Sequence, residues 1–323
     1  MIRGFTFERA LAWPFTAPHA ASFPWIFGAA FALAFLFLFA VVGSLSAGDI
    51  SGWIRTVEAA GESNDTEADL AAFQDGIAML LPWALLSGIA SWALWAMFET
   101  ASQRRFIWGE GFTLGFGADE LRMMVVGLLW SLLGFVIIGV PILLIMGPTF
   151  FALITDPVAF ESEADANAVG LQVLGVFFVM LVLFPVYVFF ATRLAPCFGL
   201  TVKEHRIRFF DAWNVSRGRF WPILGAYVIL AFAGGIIGQV FAGIAQAIIM
   251  PATVQSFENV ATSEEVRALI FSPGFYLPMG IYFFITLFLQ GVLQHVVGGP
   301  AALAVRHDPR GGVEAEAQIG AFD

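Results

Sequence analysis

Along the chain, six stretches stay apolar for more than 20 residues each, at about 24–46, 76–98, 123–146, 168–192, 221–249 and 276–304. A hydrocarbon core about 30 Å thick is crossed by roughly 20 residues of α-helix, so each stretch predicts one transmembrane helix. The polar segments between them alternate between two kinds. Residues 47–75, 147–167 and 250–275 hold fourteen Asp and Glu but only Arg55 and Arg267 as cations. The N-terminus, 99–122, 193–220 and 305–323 hold the other thirteen basic residues. An excess of Lys and Arg in short loops marks the cytoplasmic side. Both termini and the two basic loops are therefore expected in the cytoplasm, and an even number of spans agrees. Arg3 and Arg9, the first apolar block and Ser44-Leu45-Ser46-Ala47 also fit a signal peptide. A signal core is usually about 7–15 apolar residues, shorter than this block, so a retained first helix is expected.

Composition sharpens this reading. Of 323 residues, 59% are hydrophobic and 12% are charged, against roughly a quarter charged in a soluble domain. The class implied is an all-α polytopic membrane protein: six spans as three hairpins, with amphipathic helices lying on the cytoplasmic face. Residues 1–304 form the membrane domain and 305–323 a short disordered tail. A single cysteine, Cys197, excludes an internal disulfide and a cysteine metal cluster. Lys203 is the only lysine.

The lead-in to each odd-numbered span shares a loose pattern: FERAL (7–11), FTLGF (112–116) and FFDAW (209–213), followed by Gly28, Gly127 and Gly225. So permissive a pattern leaves a threefold repeat open.

One stretch, RIRFFDAWNVSRGRFWPILGAY (206–227), mixes arginines and aromatics. Read as a helix, 206–220 puts Phe209, Trp213, Ser216 and Phe220 on one face. Such a helix would lie in the interface, aromatics toward the acyl chains and guanidinium groups among phosphates. A headgroup or partner site is therefore expected at Lys203, Arg206, Arg208, Trp213, Arg217, Arg219 and Trp221, with Arg104 and Arg105 from the 99–122 loop. Each arginine near an anionic leaflet is worth about 1 kcal/mol, which six spans do not need for anchoring. Ordinary positive-inside flanking with an aromatic belt is the competing account. In the 99–122 loop, GADEL (117–121) reads as a helix start, its acids at the positive end of the helix dipole.

No Asp, Glu, Lys or Arg falls inside any of the six blocks, which argues against a proton- or ion-driven pump. Polar residues collect in the last two spans instead. Thr286, Gln290 and Gln294 share one face of the sixth, with His295 beside them, while Gln239 and Gln246 are on the fifth. These six form a candidate intramembrane polar site, or else simply bond helix to helix. Rise per residue places Gln239 and Thr286 at about the same depth. Gly234, Gly238 and Ala242 on the fifth span have the spacing that lets helices approach closely. Pro141 and Pro185 should kink the third and fourth.

No HExxH, GxSxG or Walker A motif occurs, and the histidines, His19, His205, His295 and His307, are scattered. No enzyme activity, cofactor, metal or nucleic-acid partner is expected. FFDAWNVSRGRFWPILGAYVIL resembles the F-x-x-[AS]-W-x-x-[ST]-R-G-x-[FW]-W-x-x-x-G stretch of a family of six-span proteobacterial inner-membrane proteins, and GFGADELRMMVVGLLW resembles another segment of that family. The family is similar to the membrane domain of some glycerophosphodiester phosphodiesterases and, more loosely, to the YciC-like membrane proteins. The catalytic barrel of those enzymes is absent here, so the resemblance implies a non-catalytic helical module in a bacterial inner membrane. The first functional expectation is a lipid-interacting scaffold or accessory subunit, with anionic phospholipids or a protein partner at the arginines. The second is a transporter or lipid-moving protein using the polar stripe between the last two spans.

Overall fold

The computed structural model describes residues 5–63, 66–155, 163–258, 268–269 and 272–308. Six helices in it are long and apolar enough to cross a membrane, and the described residues contain no strand. A short α1 (Phe7–Thr16) precedes α2 (Phe23–Ser63) and α3 (Thr66–Trp108). The second hairpin is α4 (Ala118–Gly134), a π-helical turn (Phe135–Gly139), α5 (Val140–Thr155) and α6 (Glu163–Leu194). Two short helices, α7 (Cys197–Glu204) and α8 (Ala212–Val215), lead to α9 (Phe220–Glu258) and α10 (Pro273–Arg306). The predicted tail, 305–323, begins too early: α10 continues through Arg306, and Val305 and Asp308 are buried against the bundle. Residues beyond 308, and Arg267, lie outside the described residues.

Each hairpin packs on itself, and α10 also packs on α2, α3 and α1. The result is a ring in the order α9, α10, α2, α3, α4–α5, α6, in which α6 returns to α9 only sparsely. The three glycines that follow the lead-in motifs all sit where something else comes close. A Cβ on Gly28 would lie 2.7 Å from Val292, one on Gly127 2.4 Å from the Trp95 ring, and one on Gly225 3.1 Å from Phe7. The third differs in kind, because its neighbour is the short α1, whereas Gly28 meets the last span and Gly127 the second.

The 47–75 segment departs from the expected acidic loop. There α2 and α3 run on as helices of 41 and 43 residues, about 60 Å each, twice the hydrocarbon thickness. Two indoles tie the extensions together: Trp53 Nε1 donates to Ala72 O at 3.1 Å, and Trp83 Nε1 donates to Asp49 Oδ2 at 2.7 Å. A Cβ on Gly76 would fall 2.1 Å from Trp53 Nε1, so the indole takes the place of a side chain.

Pro141 is accommodated as its chemistry requires. Lacking an N–H and crowding the carbonyl one turn before it, it sits just past the π-helical turn 135–139, after Val140, where the ladder is already interrupted. Pro185 lies inside the continuous α6. Of the small residues on α9, Gly234 is used: its Cβ would lie 2.2 Å from Leu293. Gly238 has nothing within 4 Å.

Replacing Gly127 by leucine should cost roughly 1–3 kcal/mol by forcing Trp95 aside. Gly88, with open space around it, should accept leucine with little change. Paired thermal melts of the two variants in one detergent check this.

Candidate functional site

The arginine-rich end of the bundle is held by guanidinium groups that satisfy helix C-termini. The last carbonyls of a helix have no partner within it, and in an apolar setting each unmet one is costly. Arg105, fully buried on α3, donates from Nε to Pro18 O at 2.7 Å and from Nη2 to Pro14 O at 3.1 Å and Ala17 O at 3.3 Å. It thereby closes the end of α1 and the turn into α2. Arg219 donates to Ala304 O at 2.8 Å and His307 O at 2.6 Å, closing α10. Arg306 donates to Ile107 O at 2.6 Å, closing α3. Arg193 reaches Ser216 O at 3.2 Å while its guanidinium faces the Trp213 and Phe220 rings at 5.3 and 5.1 Å.

The remaining guanidinium nitrogen of Arg105 donates to His295 Nε2. An arginine can only donate, so Nε2 is the acceptor and the ring proton sits on Nδ1. Nδ1–H then donates to Ser102 Oγ at 2.6 Å. Phe106 stacks on the imidazole with centroids 4.6 Å apart and planes 5° apart, and Phe23 and Phe27 cover its other contacts. His295 therefore belongs to a packed polar knot, not to a ligand site.

These positions correct the sequence reading of the arginines. Arg105 has no exposed surface and cannot meet a headgroup, because α3 continues through the expected 99–122 loop as far as Trp108. Residues 206–220 do not form one interfacial helix. They turn through α8, and Gly218 takes φ +77°, a left-handed value that a side chain would resist. Arg208 is held by Glu204 at 2.8 Å and Asp211 at 2.9 Å, and those acids push its pKa above the ordinary arginine value. Arg104 pairs with Glu120 at 2.9 Å beside Asp119, which also takes Arg122 and His205. At the start of α4 the expected acids are in place, and the Gly117 N–H donates to Glu120 Oε2 at 2.9 Å. Lys203 is half-buried on α7, Arg206 and Arg217 are exposed, Trp213 packs on Phe189, and Trp221 is 76% exposed.

Inside the ring lies a cavity of about 1100 Å³. Its walls are mostly aromatic: Phe31 and Phe35 from α2, Trp92 and Trp95 from α3, Trp130 from α4, Phe184 from α6, Phe198 from α7 and Tyr227 from α9. Trp92, Trp95, Glu99 and Gln103 follow at i, i+3, i+7 and i+11, one stripe of α3, so a single helix face carries the lining from apolar to polar. On α10, Gln290 and Gln294 face the same space. Glu99, 6% exposed, accepts from Gln103 Nε2 at 2.8 Å and from Gln294 Nε2 at 3.3 Å.

The expected polar site is thus divided. Gln290 and Gln294 reach the cavity, and His295 points to the knot. Thr286 bonds back to Tyr282 O at 2.9 Å on its own helix, while Gln239 and Gln246 are exposed on α9 away from the cavity. Counting from the approach of Gly234 to Leu293, Gln239 stands level with position 288, within about 3 Å of the height of Thr286. The shared depth holds, but these two side chains do not meet. Glu99 itself is the residue that sequence patterning passed over, because it falls one position beyond the end of the second apolar stretch at 98. Its signal was present in the helical spacing of Trp92, Trp95, Glu99 and Gln103.

No family model, no curated protein and no solved structure matches the chain.

Lysine in place of Arg105 should destabilise the bundle by more than about 2 kcal/mol, since one ammonium cannot reach four acceptors set by a planar fork. Arg206→Gln and Arg217→Gln should stay within about 0.5 kcal/mol of wild type. Unfolding midpoints in detergent, with the three variants side by side, measure the contrast.

Proposed function

We propose that this protein binds an amphiphilic molecule within the membrane, holding its apolar body in the aromatic cavity and its polar end against Glu99, Gln103, Gln290 and Gln294. The observation that carries the reading is the cavity itself: about 1100 Å³ of space among six spans, apolar along most of its wall, with Glu99, Gln103, Gln290 and Gln294 contributing to its polar part. Ligand sites are typically concave, mainly apolar and furnished with a few convergent polar groups. A bundle assembled only for scaffolding would be expected to close such a space by side-chain packing.

Of the two sequence-based readings, this favours the lipid-handling one, with the stripe on α10 as part of its site. Access from the bilayer is supported by the sparse meeting of α6 and α9, whose residues Phe184, Val188, Val228 and Ala231 border the space. The arginine-rich end is assigned to the cytoplasmic face of a bacterial inner membrane, on the Lys/Arg bias and on the resemblance of the 209–230 motif. Contact of the exposed Arg206 and Arg217 with anionic headgroups remains part of the proposal; recognition by Arg105 does not.

Ser131→Trp combined with Ala231→Phe should fill the cavity while leaving the arginine contacts intact. Native mass spectrometry of gently solubilised wild type is expected to show a retained amphiphile that the filled variant lacks, at equal thermal stability. Equal retention by both proteins would overturn the reading.

A further inference from the structure

Resting on the cavity reading above, we infer that the ligand is a lipophilic monocation: an apolar body bearing an ammonium-like charge and no phosphate. Three observations converge. Among the described residues, Glu99 is the only charged one on the cavity wall, where no Lys, Arg or His appears. No ion pair reaches its carboxylate among the described residues, since the two groups that touch it are neutral amides. Trp92, Trp95 and Trp130 line the same space.

A carboxylate removed from water is costly without a counter-charge, and here the protein supplies none. A bound cation would neutralise it. Trp92, Trp95, Trp130 and Tyr227 around the same space offer ring faces that attract a desolvated cation. An anionic head would confront Glu99 with no positive partner. A zwitterionic phospholipid head could place its amine at Glu99, but its phosphate would have no cation on the cavity wall. The chemistry therefore selects an amine-bearing amphiphile free in the bilayer over an amine-headed phospholipid.

The test is a titration of the detergent-solubilised full chain, followed by tryptophan fluorescence, with three probes of equal chain length: decylammonium, decanol and decanoate. Wild type should bind decylammonium at least about tenfold more tightly than decanol, the span expected of a hydrogen bond to a charged group, and decanoate most weakly. Glu99→Gln should bring decylammonium to within about threefold of decanol while decanol binding is unchanged. Equal binding of decylammonium and decanol by wild type would overturn the cation preference and leave the cavity reading standing. Binding of none of the probes would overturn the cavity reading itself. If Glu99→Gln does not fold, the wild-type ratio still decides. A repeat in nanodiscs separates the sources: phosphatidylethanolamine displacing decylammonium, where phosphatidylcholine does not, would overturn the exclusion of a phosphate-bearing head.

Discussion

Unmet carbonyls at helix ends set the arrangement of this bundle. Apolar helices in lipid gain little from touching one another, since acyl chains are as apolar as leucine. Many packings of six spans would bury their side chains equally well. Arg105, Arg219 and Arg306 remove that degeneracy by reaching from one element to the terminal carbonyls of another: α3 to α1, the α8–α9 turn to α10, and α10 to α3. Each places a fixed fork of donors where only one relative position of the helices satisfies it. This also accounts for a basic complement that is almost wholly arginine, because a lysine ammonium cannot bridge several carbonyls in one plane.

The same requirement explains how a cavity persists. With its arginine-rich end fastened by polar contacts and its first hairpin fastened toward the opposite end by Trp53 and Trp83, the ring does not need to be filled in the middle. Large aromatic side chains prop the wall apart, and the glycines at 28, 127 and 291 let neighbouring helices close elsewhere. Glu99 stands at the junction of these regimes, on the same helix as Arg105 but turned about 120° away from it. One helix therefore carries a structural charge and an uncompensated one six residues apart.

Much of the architecture was legible in the chain. Long apolar stretches announce spans, and the six helices lie where hydropathy puts them. Boundaries were less legible, because a helix in water reads as polar: residues 47–63 and 66–75 carry acids and still continue α2 and α3. Charge also misled at 99–108, where the absence of an apolar run suggested a loop. Burial of Arg105 depends on carbonyls 87 to 91 residues away, a relation that no local pattern contains. Gln290 and Gln294 were found because periodicity is local, whereas His295, adjacent to Gln294, could not be assigned to another environment without knowing where Phe106 lies. The turn at 216–219 hides likewise, since SRGR reads equally as a helical segment until Gly218 is seen in the left-handed region.

The arginine contacts carry a further consequence, for the order in which the molecule is made. Phe106 and Ile107 present their carbonyls when α3 leaves the ribosome, but their donor, Arg306, follows 199 residues later in the chain. At about 5–20 residues per second, that interval lasts roughly 10–40 s. His295 reaches Arg105 after a similar delay. During this time the first hairpin is in the bilayer with a buried charge and open helix ends, and only the arrival of the last span completes it. Assembly of the ring is thus a closing event rather than a stepwise accretion, and the nascent protein depends on whatever shelters its first two helices until then.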